Sequence, residues 1–276
     1  MQILDSHVHL VAPDRSEGIV WPDADSSLYR RHRVQDLVEF HAPHTLQACE
    51  VIETSRRSVD DRWLLDTAAN DARIAAVVLN LQPDASGFDA RLRDAARSAK
   101  VVGIRFRPID DYDLRARCLL DSVSSLELLG KSIEFGAKSA QQREGFVALA
   151  AQFTGIHWIL DHCGHPPARG RVDPQWQAFI AAAALLPNTA CKVTSEFACD
   201  DSYWPSLELL RARFGKHRLM FGSNWPVATL SEGHGQAVAQ LEKLLAGDAP
   251  GFFSANTQAM YRLPIAAADG TSREYR

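Results

Sequence analysis

The chain has 276 residues, 46% of them hydrophobic and 23% charged, with a formal net charge of −4. That balance fits an ordinary globular protein; it offers neither the basic surplus of a nucleic-acid binder nor an apolar run long enough to span a bilayer. The five cysteines, Cys49, Cys118, Cys163, Cys191 and Cys199, are odd in number and lack CxxC spacing, which argues against a disulfide framework or a thiolate zinc site and fits a reducing cytoplasm.

In chain order, short apolar runs rich in β-branched residues alternate with amphipathic segments, and eight strands are expected: residues 2–7, 45–50, 74–81, 101–108, 131–137, 156–164, 189–195 and 218–224. The opening MQILDSHVHL is read directly as a strand, without the basic and apolar parts of a signal peptide. Residues 11–44, with Pro13, Trp21, Pro22 and Pro43 and few helical signals, read as a long loop inserted after the first strand and lying over a barrel mouth. Helical spacing marks VDDRWLLDTAAND, FDARLRDAARSA, SAQQREGFVALAAQF, DPQWQAFIAAAALL and YWPSLELLRARF. Near-continuously apolar strands separated by helices imply a parallel sheet covered on both faces. The turn after the first strand holds histidines rather than the glycines of a doubly wound nucleotide fold, so the expectation is an α/β fold: a single-domain (β/α)8 TIM barrel over 1–276, with a loosely held tail at 263–276.

In such a barrel the groups that act sit at the C-terminal ends of strands. The first strand ends in Asp5-Ser6-His7-Val8-His9, where residues two apart share a face, so both imidazoles can meet one cation. HxH alone is a weak motif, and two histidines in a polar loop would look the same. The sixth strand ends in LDHCGHP and brings His162 to the same rim, with His165 further out and Asp161 expected on the opposite face. The eighth ends in FGSNWPV, where Asn224 can orient water or substrate but cannot act as a base near neutral pH.

Another base is then needed. Glu134 in SIEFGA is the first candidate and Glu196, just past the seventh strand, the second; structural pairing of Glu134 with Arg105 or Lys192 is the plainer alternative. Arg105 and Arg107 alternate with Phe106 and could grip a substrate carboxylate. Lys192 and Gln47, the latter taken as lying at the end of the second strand, complete the expected substrate-binding set.

DSHVHL, GIRFRP, LDHCGHP and FGSNWPV, in this order, resemble the amidohydrolase superfamily, in particular its amidohydrolase-2 branch of sugar-lactonase and pyrone-dicarboxylate-lactonase-like proteins. The resemblance runs from residue 2 to about 262 and implies a distorted barrel hydrolysing a small acid- or sugar-derived lactone at its C-terminal rim. It also implies His7, His9 and His162 as ligands of one divalent metal, zinc or manganese, or, as in relatives that work metal-free, as groups that hold the substrate carbonyl. Asn224 stands at the position of the family's aspartate, Phe106 replaces a histidine, and Glu196 replaces a glycine in the segment that carries Lys192. The asparagine leaves three readings open: a subgroup that carries it naturally, an introduced Asp→Asn change, or a lost activity. The alternatives to lactone hydrolysis are a zinc-dependent decarboxylase, a metal-independent lactone isomerase, and a non-catalytic binding protein. A small-molecule partner is expected, with no nucleic acid and no membrane, and homo-oligomerisation is left open.

Overall fold

A computed structural model describes residues 1–83, 85–108, 113, 115–166, 172–230 and 233–264. Eight parallel strands follow one another around a single sheet in sequence order: β1 (Gln2–Val8), β2 (Thr45–Ile52), β3 (Ile74–Leu79), β4 (Val101–Phe106), β5 (Ser132–Phe135), β6 (Trp158–Leu160), β7 (Thr189–Thr194) and β8 (Leu219–Gly222). Helices alternate with them: α1 (Val34–His41), α2 (Ser58–Asn70), α3 (Phe88–Ala95), α4 (Arg117–Leu128), α5 (Ala140–Gln152), α6 (Pro174–Leu185), α7 (Ser195–Ala198), α8 (Trp204–Phe214), α9 (His234–Leu245) and α10 (Asn256–Tyr261). This is the (β/α)8 barrel that the alternation predicts.

Local chemistry sets several of these boundaries. Ser139 accepts from the Gln142 amide to start α5, and Asp173 accepts from the Trp176 amide ahead of Pro174 to start α6, which satisfies helix-terminal N–H groups that would otherwise lack partners. The barrel closes at its C-terminal end, where the Asn224 amide donates to the His7 carbonyl (2.9 Å) and the His9 amide to the Trp225 carbonyl (2.8 Å). Closure therefore sets the first and last strand ends, with their polar side chains, beside each other.

Most apolar side chains fill the shell between sheet and helices, including Phe106, Phe135, Phe146, Trp158 and Trp176. A second, smaller cluster of Ile52, Ala76, Val78, Val102, Ile159, Ala190 and Met220 packs with Tyr261, Met260 and Leu263 from the end of α10. Of the tail expected from residue 263, Leu263 belongs to that cluster and residues 265–276 lie outside the described residues. The inserted segment is also more ordered than its prolines suggest: Val11 pairs with His32, and residues 34–41 form α1 with Val34, Leu37 and His41 buried. No helix among the described residues is long and apolar enough to cross a membrane.

Candidate active site

The ends of β1, β4, β6, β7 and β8 build the mouth. His7 is fully buried, and its ring centroid lies 5.1 Å from that of His9 and 4.6 Å from that of His162. His9 commits Nδ1 to the Ile52 carbonyl at 2.8 Å. A carbonyl can only accept, so the proton sits on Nδ1 and Nε2 carries a lone pair. Burial first, then surrounding positive charge, holds both His7 and His9 well below the ordinary imidazole value, so both are neutral.

The sixth strand stops at Leu160. Beyond it the chain makes one tight turn, with His162, Cys163 and His165 all at positive φ. Asp161 keeps the extended backbone, on the face opposite to Leu160, and alternation breaks at His162, so the carboxylate and the imidazole meet in the site instead of facing apart, which corrects the expectation. Asp161 is fully buried; its Oδ2 accepts from Arg105 Nε at 3.1 Å, and its Oδ1 lies 3.7 Å from His7 Nδ1. Burial favours its neutral form, but the positive charges of Arg105 and Lys192 outweigh that and hold it at about 2. Arg105 also donates from Nη2 to His162 Nε2 at 3.0 Å, and His162 Nδ1 faces Thr194 Oγ1 and Glu196 Oε1, each at 3.3 Å. His165 is left on the outer side of His162, with centroids 5.2 Å apart, and burial lowers it to about 3.

Of the expected metal set His7, His9 and His162, the fold brings His7 and His162 together with Asp161. Ligand atoms of His7, Asp161 and His162 lie within 4.8 Å of one another, and His9 is adjacent to that set without belonging to it. Both ring nitrogens of His7 and Oδ1 of Asp161 are buried without a hydrogen-bond partner among the described residues. The neutral His7 imidazole and the Asp161 carboxylate, with orphaned donor atoms, fit a divalent cation together with the His162 ring beside them.

Two of the carboxylate candidates occupy different places. Glu134 lies within the barrel, accepting from Lys192 Nζ at 2.5 Å and from the Tyr261 hydroxyl at 2.6 Å, with Glu50 Oε1 3.4 Å from the same ammonium. Lys192 is two residues deeper on β7 than Thr194, roughly 7 Å along a strand, so this fully buried layer forms the floor under the mouth, and Glu134 and Lys192 are committed to each other. Burial works against the ammonium, but Glu134 and Glu50 raise Lys192 above its ordinary value. Burial and the neighbouring Glu134 push Glu50 upward against the pull of Lys192.

Glu196, by contrast, stands at the rim. Its Oε1 accepts from Asn224 Nδ2 at 3.1 Å and faces His162 Nδ1, while Oε2 is buried without a partner among the described residues. Burial opposes ionisation, yet the hydrogen bond and charge of His162 keep the carboxyl below its ordinary value. Asn224, at φ 59°, thus spends its amide on Glu196.

Arg105 Nη1 is buried and unpartnered among the described residues, and Arg107 reaches solvent just past β4. Partial desolvation and the Arg105 charge lower the Arg107 guanidinium to about 10. Gln47 does not reach the site. It is the third residue of β2, near the N-terminal end of the barrel, where its Oε1 accepts from Ser254 Oγ at 2.6 Å. The end of β2 instead carries Glu53, buried against the inserted segment and raised by that burial to about 7. From the same segment Trp21 sets its ring 5.3 Å from His9.

With this geometry in view, the amidohydrolase-2 family profile, described as Amidohydrolase, matches residues 4–263. The chain belongs to the amidohydrolase family. Two relatives are named L-fucono-1,5-lactonase. The chain is 26% identical to the protein of Burkholderia ambifaria over 243 residues, 84% of this chain and 82% of that one. It is 25% identical to the protein of Burkholderia multivorans over 266 residues, 87% of each chain. Among solved structures, a zinc-bound amidohydrolase of Burkholderia multivorans superposes with a TM-score of 0.79 at 24% identity, covering 96% of this chain and all of that one. A probable 2-pyrone-4,6-dicarboxylic acid hydrolase of Acinetobacter baumannii superposes with a TM-score of 0.74 at 16% identity, covering 95% of this chain and 100% of that one. At these identities the two structures speak for the fold.

Proposed function

We propose that the protein hydrolyses a small sugar- or acid-derived lactone at the C-terminal mouth of the barrel. The observation that carries this reading is the convergence of His7, Asp161 and His162 beside an ionised Glu196 whose Oε2 has no partner among the described residues. The lactonase names of the Burkholderia relatives support the substrate class.

Arg105 Nη1 and Arg107 offer guanidinium donors to a substrate carboxylate or polarised oxygen. His7, Asp161 and His162 would hold a divalent cation, which when bound supplies Lewis-acid polarisation of the lactone carbonyl. Glu196 Oε2 accepts a proton from water as the water oxygen bonds to the carbonyl carbon. The ring C–O bond then breaks, and the leaving alkoxide takes the proton back from Glu196. The product is a hydroxy acid that releases its own proton near neutral pH. Asn224 Nδ2 and His162 Nδ1 fix the other oxygen of Glu196 throughout, so the asparagine positions the base instead of serving as one. Trp21, edge-on to His9, walls the opening.

The test is a pH-indicator assay on sugar-acid 1,5-lactones, including L-fucono-1,5-lactone, and on 2-pyrone-4,6-dicarboxylate. The protein is assayed after chelation and after loading with zinc or manganese. Ring opening of at least one substrate is expected; its absence across the panel in every metal state rejects the reading, and carbon dioxide or an isomerised lactone would replace it with decarboxylation or isomerisation.

A further inference from the structure

The opposite end of the barrel holds a small polar pocket, open to solvent, lined by Lys131, Ser132, His157, Tyr261 and Arg262 among others. Its position follows from the strands: Ser132 is the first residue of β5, Lys131 precedes it, and His157 immediately precedes β6. These are strand beginnings, so the cavity lies at the N-terminal face, away from the mouth.

Two cations face it without a carboxylate. Lys131 Nζ donates to the Val101 carbonyl at 2.6 Å, which leaves two of its three hydrogens unassigned. Burial, with no opposing charge, lowers its pKa. Arg262 makes no side-chain hydrogen bond or ion pair among the described residues, and its Nη1 lies 3.8 Å from where a Cβ on Gly130 would stand. No acidic residue lines the cavity among the described residues; the neighbouring Glu127 spends Oε1 on the Gly155 amide at 2.8 Å.

The backbone that presents Arg262 is specific. Arg262 closes α10 in the left-handed region at φ 53°, a conformation uncommon outside glycine. It is held by the Leu263 amide on the Gln258 carbonyl at 2.9 Å and by His157 Nδ1 donating to the Met260 carbonyl at 2.6 Å. Ser132 donates to the Val102 carbonyl, so the donors left for a ligand belong to the two cations.

We propose that this cavity is an anion site for a phosphate group, gripped by Lys131 and Arg262 at the N-terminal face. A tetrahedral oxyanion suits two cationic side chains lining one pocket and supplies the countercharge that no lining carboxylate provides among the described residues. The proposal does not rest on the lactonase reading, since the two ends share none of these residues.

The experiment follows thermal unfolding of the full chain against rising inorganic phosphate at constant ionic strength, with sodium chloride as control and glycerol phosphate in parallel. A saturable stabilisation that chloride does not give is expected. In Arg262→Gln and in Lys131→Gln the phosphate midpoint should move up about tenfold, the size of one lost charged hydrogen bond, while Arg107→Gln at the mouth keeps the wild-type midpoint. Arg262 is exposed, so its variant folds even where Lys131→Gln does not. An unchanged midpoint in Arg262→Gln, a response no better than chloride, or a response lost in Arg107→Gln overturns the proposal. A lower midpoint for glycerol phosphate than for inorganic phosphate identifies an organic phosphate ester as the ligand; the reverse identifies the free ion.

Discussion

The floor of the barrel and its mouth are one strand pleat apart, yet they treat buried charge in opposite ways. In the floor, Lys192, Glu134, Glu50 and Tyr261 spend their polar groups on each other. One oxygen each of Glu50 and Glu134 stays without a hydrogen-bond partner even there; at the mouth, both His7 nitrogens, Asp161 Oδ1, Arg105 Nη1 and Glu196 Oε2 remain without partners among the described residues. A buried polar group left unpaired costs about 1–3 kcal/mol, and the mouth carries more of that cost than the floor. That cost is the mark of a place that waits for a ligand.

The largest expected effect sharpens this contrast. Glu196→Gln should lower kcat by about 10²- to 10⁴-fold while leaving thermal stability close to wild type, and Asp161→Asn should lose activity and bound metal together. If Glu196 is the base, its lowered pKa keeps kcat/KM on its plateau at pH values where an ordinary carboxylate, near about 4.3, is half protonated. Asn224→Asp distinguishes the readings of that position. It sets a second carboxylate against Glu196, raises the pKa of the pair and moves the acid limb upward, reducing activity near pH 6; a gain in activity would show that the asparagine stands in for a lost base.

The floor answers differently, through stability. Lys192→Met leaves two buried carboxylates without their cation and should cost about 3–5 kcal/mol, read by denaturant unfolding. Adding Glu134→Gln in the same chain should recover part of that loss. Tyr261→Phe removes one hydrogen bond to Glu134 and should cost about 1–2 kcal/mol.

Titration gives the next effect. His234, near the start of α9, is lowered to about 4, chiefly by burial. The unfolded chain binds its proton below about pH 6.5 while the folded chain does not. Stability from this group is therefore complete above pH 6.5 and falls by about 1.4 kcal/mol per pH unit as pH drops towards 4. His234→Gln should flatten that slope in unfolding curves taken from pH 7 to 4. The smallest effect is expected for Gln47→Ala, which removes the bond from Ser254 at the far end, about 1 kcal/mol of stability, and leaves kcat/KM unchanged.

The strands were legible because both faces of a parallel barrel are covered, so each strand reads as a dense apolar run. α1 was hidden by the prolines around it, although Val34, Leu37 and His41 repeat at helical spacing and would have revealed it. Asp161 was misplaced because alternation was carried one residue too far: Asp161 is still extended, but the backbone turns left-handed at His162 and Cys163. Gln47 was misplaced although the second strand was expected over 45–50: it lies near that strand's start, whereas β2 runs on to Ile52 and delivers Glu53 to the rim. Glu134 and Glu196 could not be ranked from sequence, because what separates them is the partner: an ammonium and a phenol for one, an imidazole and an amide for the other.

Gly222 is where β8 passes His7 so closely that a Cβ would stand 2.7 Å from the histidine Cβ and 3.4 Å from Thr194 Cγ2. No contact that tight is tolerated, so any residue other than glycine pushes β1 and β8 apart at the seam. Efforts to redirect this protein to new substrates should keep that position invariant and place their diversity in the segment that carries Trp21, where new shapes can be tried without prying the cylinder open.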